Sequence, residues 1–292
     1  MEYSLMLNAI ACIFLSLAAN YAHSEQAPCE TPDSKAPGPS SMTEIYRKAP
    51  FKSGERSTFQ VHYMGVMVGY GNIRVKPPVL LKNNWSQHFS AKASTGDWYS
   101  AIFVAKDQVI AYSKPESFAV LKFYIKQDEG QMFGSRFIQE KWLNFYHEKC
   151  MVDEIIKKKD KEPVQEQAEL SYGAIDALGA VFKLRSLTYI TGQKQRFLVY
   201  SSRKNWWLEA DPKTVEKVTV PAGEYLADKL KLQTYLGKDL QQKGEVHIWI
   251  AKDHPSRPLV KVEGEIKIGS IVMELTEFTP GSPVISRSLP KM

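Results

Sequence analysis

A few groups of residues in this chain have the types and spacing that chemistry requires. His147 and Cys150 lie three apart, a metal-ligand spacing, but no second Cys or His stands nearby at ligand distance in sequence. His247, Asp253 and His254 cluster. On alternating strand geometry His247 shares a face with Trp249, while Asp253 and His254 fall in the following turn, closed by Pro255, so no metal site is expected. Glu263 and Glu265 form a row with Lys261 and Lys267, which is the charge pattern of a solvated sheet face rather than of a glycosidase pair. The Gly-x-Ser-x-Gly elbow, Ser-x-x-Lys, Gly-x-x-x-x-Gly-Lys and Gly-x-Gly-x-x-Gly are all absent, so no catalytic residue and no cofactor is assigned. The aromatic pairs Trp98-Tyr99 and Trp206-Trp207 are the best candidates for ligand binding. On a strand, one ring of each pair faces away from the inner side, where it can line a groove for a sugar or an acyl chain, or cover a second small core.

The elements that carry these residues begin with an apolar run, Leu5 to Ala19, followed by Ala22-His23-Ser24. The run is too short for a comfortable membrane crossing and has small residues where a signal peptidase reads, so residues 1–24 are expected to be a secretory signal peptide. Its first residues hold Glu2 and no Lys or Arg, which a misassigned start codon or, second to it, an uncleaved anchor would explain. No later segment is long and apolar enough to span a membrane as a helix. The compartment expected is the periplasm, with outer-membrane association open. The net charge of +6 becomes +7 on loss of Glu2, and it is spread along the chain. That favours weak attraction to anionic lipid or polysaccharide, and no nucleic-acid partner is expected. Cys29 and Cys150 remain after cleavage, and in an oxidising compartment a single pair is expected to bond.

Residues 25–50 are rich in Pro and Ser and lack apolar periodicity, so they form a linker. A single β-rich domain is expected over 51–279, with a tail at 280–292. Phe59, Val61 and Tyr63 alternate with Thr58, Gln60 and His62. Gly65 and Gly69 bracket Val66-Met67-Val68 and Tyr70 to Val75 continues in β-type residues, which predicts a hairpin with glycines at bends or bulges that Pro77-Pro78 is expected to end. A hairpin is expected over 118–145, turning at Gln127–Gly130, and the charged stretch 153–169 is expected to be an exposed connection. Asp176 precedes apolar residues at helical spacing and is expected to cap one short helix, near whose end Arg185 reaches a carboxylate or open carbonyls. Strands return from Arg196 to Phe278, with turns at Ala210-Asp211-Pro212, Pro221-Ala222-Gly223 and Gly269 among others. The fold class expected is all-β, a mainly antiparallel rolled sheet or partly closed barrel with one or two short helices.

The order of these motifs resembles an exported bacterial family, domain of unknown function 3108 (DUF3108). The opening Phe51-Lys-Ser-Gly54-Glu55, then Tyr63-Met-Gly65 and Gly69, is similar to the family's start. Asp176 to Arg185 resembles its Asp-led helix ending in Arg, and Pro221-Ala-Gly223 its turn between strands. His247-Ile-Trp249, Arg257-Pro-Leu259 and Gly269 to Leu275 are similar to its closing strands. The resemblance covers roughly 51–279, departs from the family in the long charged insert at 153–169, and implies a periplasmic rolled β fold and no established activity. Gly54, Glu55, Gly65, Gly69, Asp176, Arg185, Pro221, Gly223 and Gly269 are therefore assigned structural roles.

The functional expectation is a non-catalytic envelope protein that binds an apolar or glycan ligand, or a protein partner. The alternatives are a cell-wall or polysaccharide hydrolase whose site is assembled from distant residues, and a structural component that pairs through sheet edges.

Overall fold

The structure, a computed structural model, describes residues 48–282 apart from 82, 98, 102, 132–135, 242–243 and 266–268. The signal-peptide segment, Cys29, Trp98, most of the linker and most of the C-terminal tail lie outside the described residues.

Eight strands run outward as an antiparallel meander: β1 (Arg56–Tyr63), β2 (Val66–Leu81), β3 (Asn84–Thr95), β4 (Phe103–Ser113), β5 (Val120–Gln131), β6 (Arg136–Tyr146), β7 (Met151–Lys158) and β8 (Val164–Glu169). A helix, α1 (Ala177–Ser186), follows. The chain then makes β9 (Gln195–Ser201), β10 (Lys204–Val220), β11 (Gly223–Leu236), the short β12 (Asp239–Leu240), β13 (Val246–Ala251), β14 (Leu259–Glu265) and β15 (Ser270–Thr279). β15 pairs with β1 from Arg56↔Thr279 to Tyr63↔Ile271, so the two meanders meet in the middle of one antiparallel sheet. The expected all-β, antiparallel architecture is what the chain adopts.

The ends of the ladder, β8 and β9, do not pair with each other among the described residues, so the sheet is rolled without closing. Side chains cross the seam instead. Arg203 donates to the Gln167 carbonyl (2.9 Å) and pairs with Glu166. The Asn205 amide donates to the Glu169 carbonyl (3.2 Å) and accepts from the Ser171 amide (2.8 Å). Ser202 and Arg203 both have positive φ, 49° and 64°, the two-residue turn that matches strand twist in a hairpin, here without the Asn-Gly that usually signals it.

Alternation builds the core. Phe59, Val61, Ile73, Val75, Phe89 and Ala91 point inward from β1–β3 and meet Leu230, Leu232, Ile248, Val262, Met273 and Leu275 from the second meander. α1 lies inside this roll, with Leu178, Ala180, Val181, Phe182, Leu184 and Arg185 all buried, as expected of a helix covered on nearly every side. Phe182 stacks on Phe89 (centroids 3.9 Å) and meets Phe51 edge-on (4.9 Å). β9 is covered on both faces: Phe197 and Val199 join this core, while Tyr200 joins a smaller one with Phe145, Leu143 and Val152.

Several local expectations fail. Pro77-Pro78 does not end its strand; β2 continues to Leu81 across a register shift between Lys76 and Val79, where the ladder needs no proline N–H. Ala210-Asp211-Pro212 is not a turn but lies inside β10, with a bulge at Pro212/Thr214. The hairpin turn expected at Gln127–Gly130 is part of β5. The stretch 153–169 is not a loose connection; it forms most of the β7–β8 hairpin that extends the sheet.

Candidate binding face and buried polar groups

The residues that match the family motifs sit in structural positions. Gly54, Gly65, Gly223 and Gly269 have φ of 88°, 81°, 126° and 84°. At Gly269 a Cβ would stand 2.6 Å from Met64 Cγ, so both conformation and space require glycine there. Gly69 borders a bulge where Val61↔Gly69 is followed by His62↔Met67. Pro221 and Ala222 form the tight turn closed by Val220↔Gly223.

Asp176 caps α1, its Oδ1 accepting from the Gly179 amide (2.8 Å). Burial pushes its carboxyl up to about 6 despite the amides donated to it. Arg185 and Glu55 form an ion pair of 2.8 Å, and both side chains are buried. Arg185 also donates to the carbonyls of Arg257 (2.8 Å) and Ser256 (2.7 Å), tying α1 to the loop before β14. Its guanidinium lies over the Phe51 and Phe182 rings. Arg257 in turn pairs with Asp228 (3.2 Å). For Glu55 and Arg185 alike, burial outweighs the partner's charge, raising the carboxyl and lowering the guanidinium pKa.

His147 is buried, with Nε2 2.7 Å from the Val120 carbonyl and Nδ1 accepting from the Gly173 amide (3.2 Å). Both ring nitrogens therefore serve the backbone, and burial lowers the imidazole pKa. His247 lies within β13, paired to Lys231 and Glu263, while His254 lies in the turn after it, and His254 Nδ1 accepts from the Ser256 amide (3.1 Å). Glu263 pairs with Lys261 (2.6 Å), while Glu265 accepts from the Glu245 amide (3.2 Å).

A buried acidic pair is visible only in the structure. Asp107 on β4 points inward in the row Phe103, Ala105, Asp107, Val109, Ala111, beside Glu129 of β5. Burial, reinforced by the Glu129 charge, pushes Asp107 up to about 9, even though its Oδ1 accepts from the Asp128 amide (3.0 Å). The clue in the sequence is a carboxylate at an apolar position of a strict alternation.

Of the nominated aromatics, Trp98 lies outside the described residues. Trp206 is buried and its indole N–H donates to the Ser201 carbonyl (2.9 Å); Trp207 and Tyr99 are half-buried, and Tyr99 packs against the main core. Partly exposed rings of β3–β6 also lie on the outer side of the sheet, where cross-strand register over β2–β8 sets three parallel rows. The central row runs Arg74, Ser90, Ile110, Tyr124, Trp142, Ile155, Gln165. One flank is Asn72, Lys92, Gln108, Lys126, Glu140, Lys157. The other is Lys76, His88, Tyr112, Lys122, Asn144, Asp153, Gln167. Trp142 is 36% exposed and lies 5.5 Å from Tyr124, ring to ring; His88 stacks on Tyr112 at 4.6 Å. The Tyr124 hydroxyl donates to Glu140 (2.8 Å), and burial and this carboxylate push its pKa up to about 12. The signal that could have found these rings is their parity: on β4–β6 they occupy the side opposite the buried residues.

Similar solved folds include a β-barrel-like protein of domain of unknown function DUF1849 from Brucella abortus, with a TM-score of 0.51 at 6% identity over 77% of this chain and 97% of that one. A chain taken to be an exported protein with a YmcC-like fold, from Bacteroides fragilis, aligns with a TM-score of 0.35 at 11% identity over 79% of this chain and 98% of that one. No helix of the described residues is long and apolar enough to cross a membrane. Among curated proteins, none matches. The model of the family described as "Protein of unknown function (DUF3108)" matches residues 58–276, nearly the whole sheet from β1 to β15, and the chain belongs to that family.

Proposed function

We propose that this protein is a non-catalytic, exported component of the cell envelope that binds its ligand or partner on the outer face of β3–β7. The observation that carries this reading is the row Ile110, Tyr124, Trp142, Ile155, set on the solvent side of the sheet between polar and cationic rows. Aromatic rings flush with a sheet and bordered by hydrogen-bonding groups suit reversible, non-covalent binding. The polar residues shared with the family motifs support the non-catalytic part, because Glu55, Asp176 and Arg185 are engaged in buried structural bonds. The periplasm as compartment rests on the signal-peptide pattern of residues 1–24 and on the cysteines. Cys29 and Cys150 are the two cysteines that remain after cleavage, and a bond between them is the pairing that an oxidising compartment favours. The hydrolase alternative would rest on Asp107 and Glu129, but that pair points inward and is buried.

The test is native mass spectrometry of the mature protein, isolated gently from its own envelope. A discrete added mass, released by denaturation and missing from Trp142→Ala, is expected. An added mass or crosslinked partner that Trp142→Ala retains would remove the outer face from the reading.

A further inference from the structure

We infer that the ligand of this outer face is an acidic polysaccharide, laid along the central row across the strands. The inference rests on the binding reading above and names the ligand class. Three features of the face carry it.

The first is length and direction. From Arg74 on β2 to Gln165 on β8 the row crosses seven neighbouring strands, about 29 Å at the usual strand spacing. A linear chain of several sugar rings fits such a strip, with Tyr124 and Trp142 as successive stacking surfaces.

The second is charge. Arg74, Lys76, Lys92, Lys122, Lys126 and Lys157 face only Glu140 and Asp153 within the three rows. Glu140 already accepts from the Tyr124 hydroxyl, and Asp153 from the Gln167 amide (2.9 Å). Among the described residues Lys92, Lys122, Lys126 and Lys157 join no ion pair. The second meander differs: Lys229–Glu216, Lys231–Glu245 and Lys261–Glu263 cancel one another there. The cationic surplus that looks diffuse along the chain is thus gathered on one face, where it attracts polyanions.

The third is depth. The rings are only partly exposed, and Gln108, Asn144 and Gln165 add hydrogen-bonding groups within the three rows. None of the three rows offers a protruding Leu or Phe to enter an acyl layer, so the chemistry favours a hydroxyl- and acid-bearing chain over a lipid surface.

The test uses the full mature chain with polygalacturonate, neutral dextran, phosphatidylglycerol vesicles and poly-dT as probes, by isothermal titration. Binding to polygalacturonate, weakened by added salt and absent for dextran, is expected. Trp142→Ala should weaken it at least tenfold, as should the triple change Lys92→Gln, Lys126→Gln, Lys157→Gln. The control Lys231→Gln, Lys261→Gln on the second meander should leave it unchanged. All are surface positions, and unchanged thermal midpoints would show that the variants fold. Binding to vesicles or poly-dT with polygalacturonate inert, equal binding to dextran, or equal loss in the control would each overturn the acidic-polysaccharide assignment. If a native adduct of other chemistry is nonetheless lost in Trp142→Ala, the face stands as a binding site and only its ligand class falls.

Discussion

At the scale of single residues, Asp107 has the largest measurable consequence. Its carboxyl, ordinarily near 3.8, is pushed up to about 9 in the fold by burial and by Glu129. Between those values the folded protein holds a proton that the unfolded chain has released, so stability from this residue falls as pH rises through the window. Asp107→Asn keeps an acceptor for the Asp128 amide and removes the titration. It should be more stable than the unaltered protein at pH 8, by upward of about 1 kcal/mol, with the difference shrinking toward pH 4. Urea midpoints at pH 4.5 and 8 check this; a larger gap at the lower pH would refute it. The residue scale is also where the sequence was least legible. The nominated Trp206 proves to be buried, because a ring whose N–H finds a carbonyl inside its own hairpin can be covered completely. Trp142 and Tyr124 were missed, since choosing between the two faces of a strand requires knowing which side the core lies on.

At the scale of elements, the helix was the most legible. Asp176, the apolar spacing and Arg185 marked its start, inner face and end, and all three stand where expected. What sequence could not show is that the partners of Arg185 come from residues 55 and 256–257, far away in the chain. Removing one member of such a pair leaves the other charged and buried. Arg185→Leu should lower stability by about 3–5 kcal/mol, and adding Glu55→Leu should recover part of that loss. A double-mutant cycle by denaturant unfolding reads the coupling; a loss below about 1 kcal/mol for Arg185→Leu would mean the pair is not buried as described. The strand boundaries misread at Pro77-Pro78 and Pro212 share one cause. Proline stops a strand only where its missing N–H was needed, and register shifts at both places dispense with it.

At the scale of the whole molecule, the antiparallel β class was legible from alternation and turn spacing, but the order of the strands was not, because β1 and β15 find each other across the full domain. The proposed Cys29–Cys150 bond would tie the segment before the sheet to the turn between β6 and β7. The unreduced mature protein should then show no titratable thiol, and reduction should lower its stability by up to about 4–5 kcal/mol; two titratable thiols before reduction would end the assignment. The β1–β15 pairing bears on the birth of the chain. Residues 56–63 wait, as an edge lacking its neighbour, until residues 270–279 have emerged, so the two meanders cannot be joined until the last strand has been made. Contacts this distant make folding slow, and a polypeptide that cannot finish early remains threadable through a narrow pore for as long as its last strand is still being made.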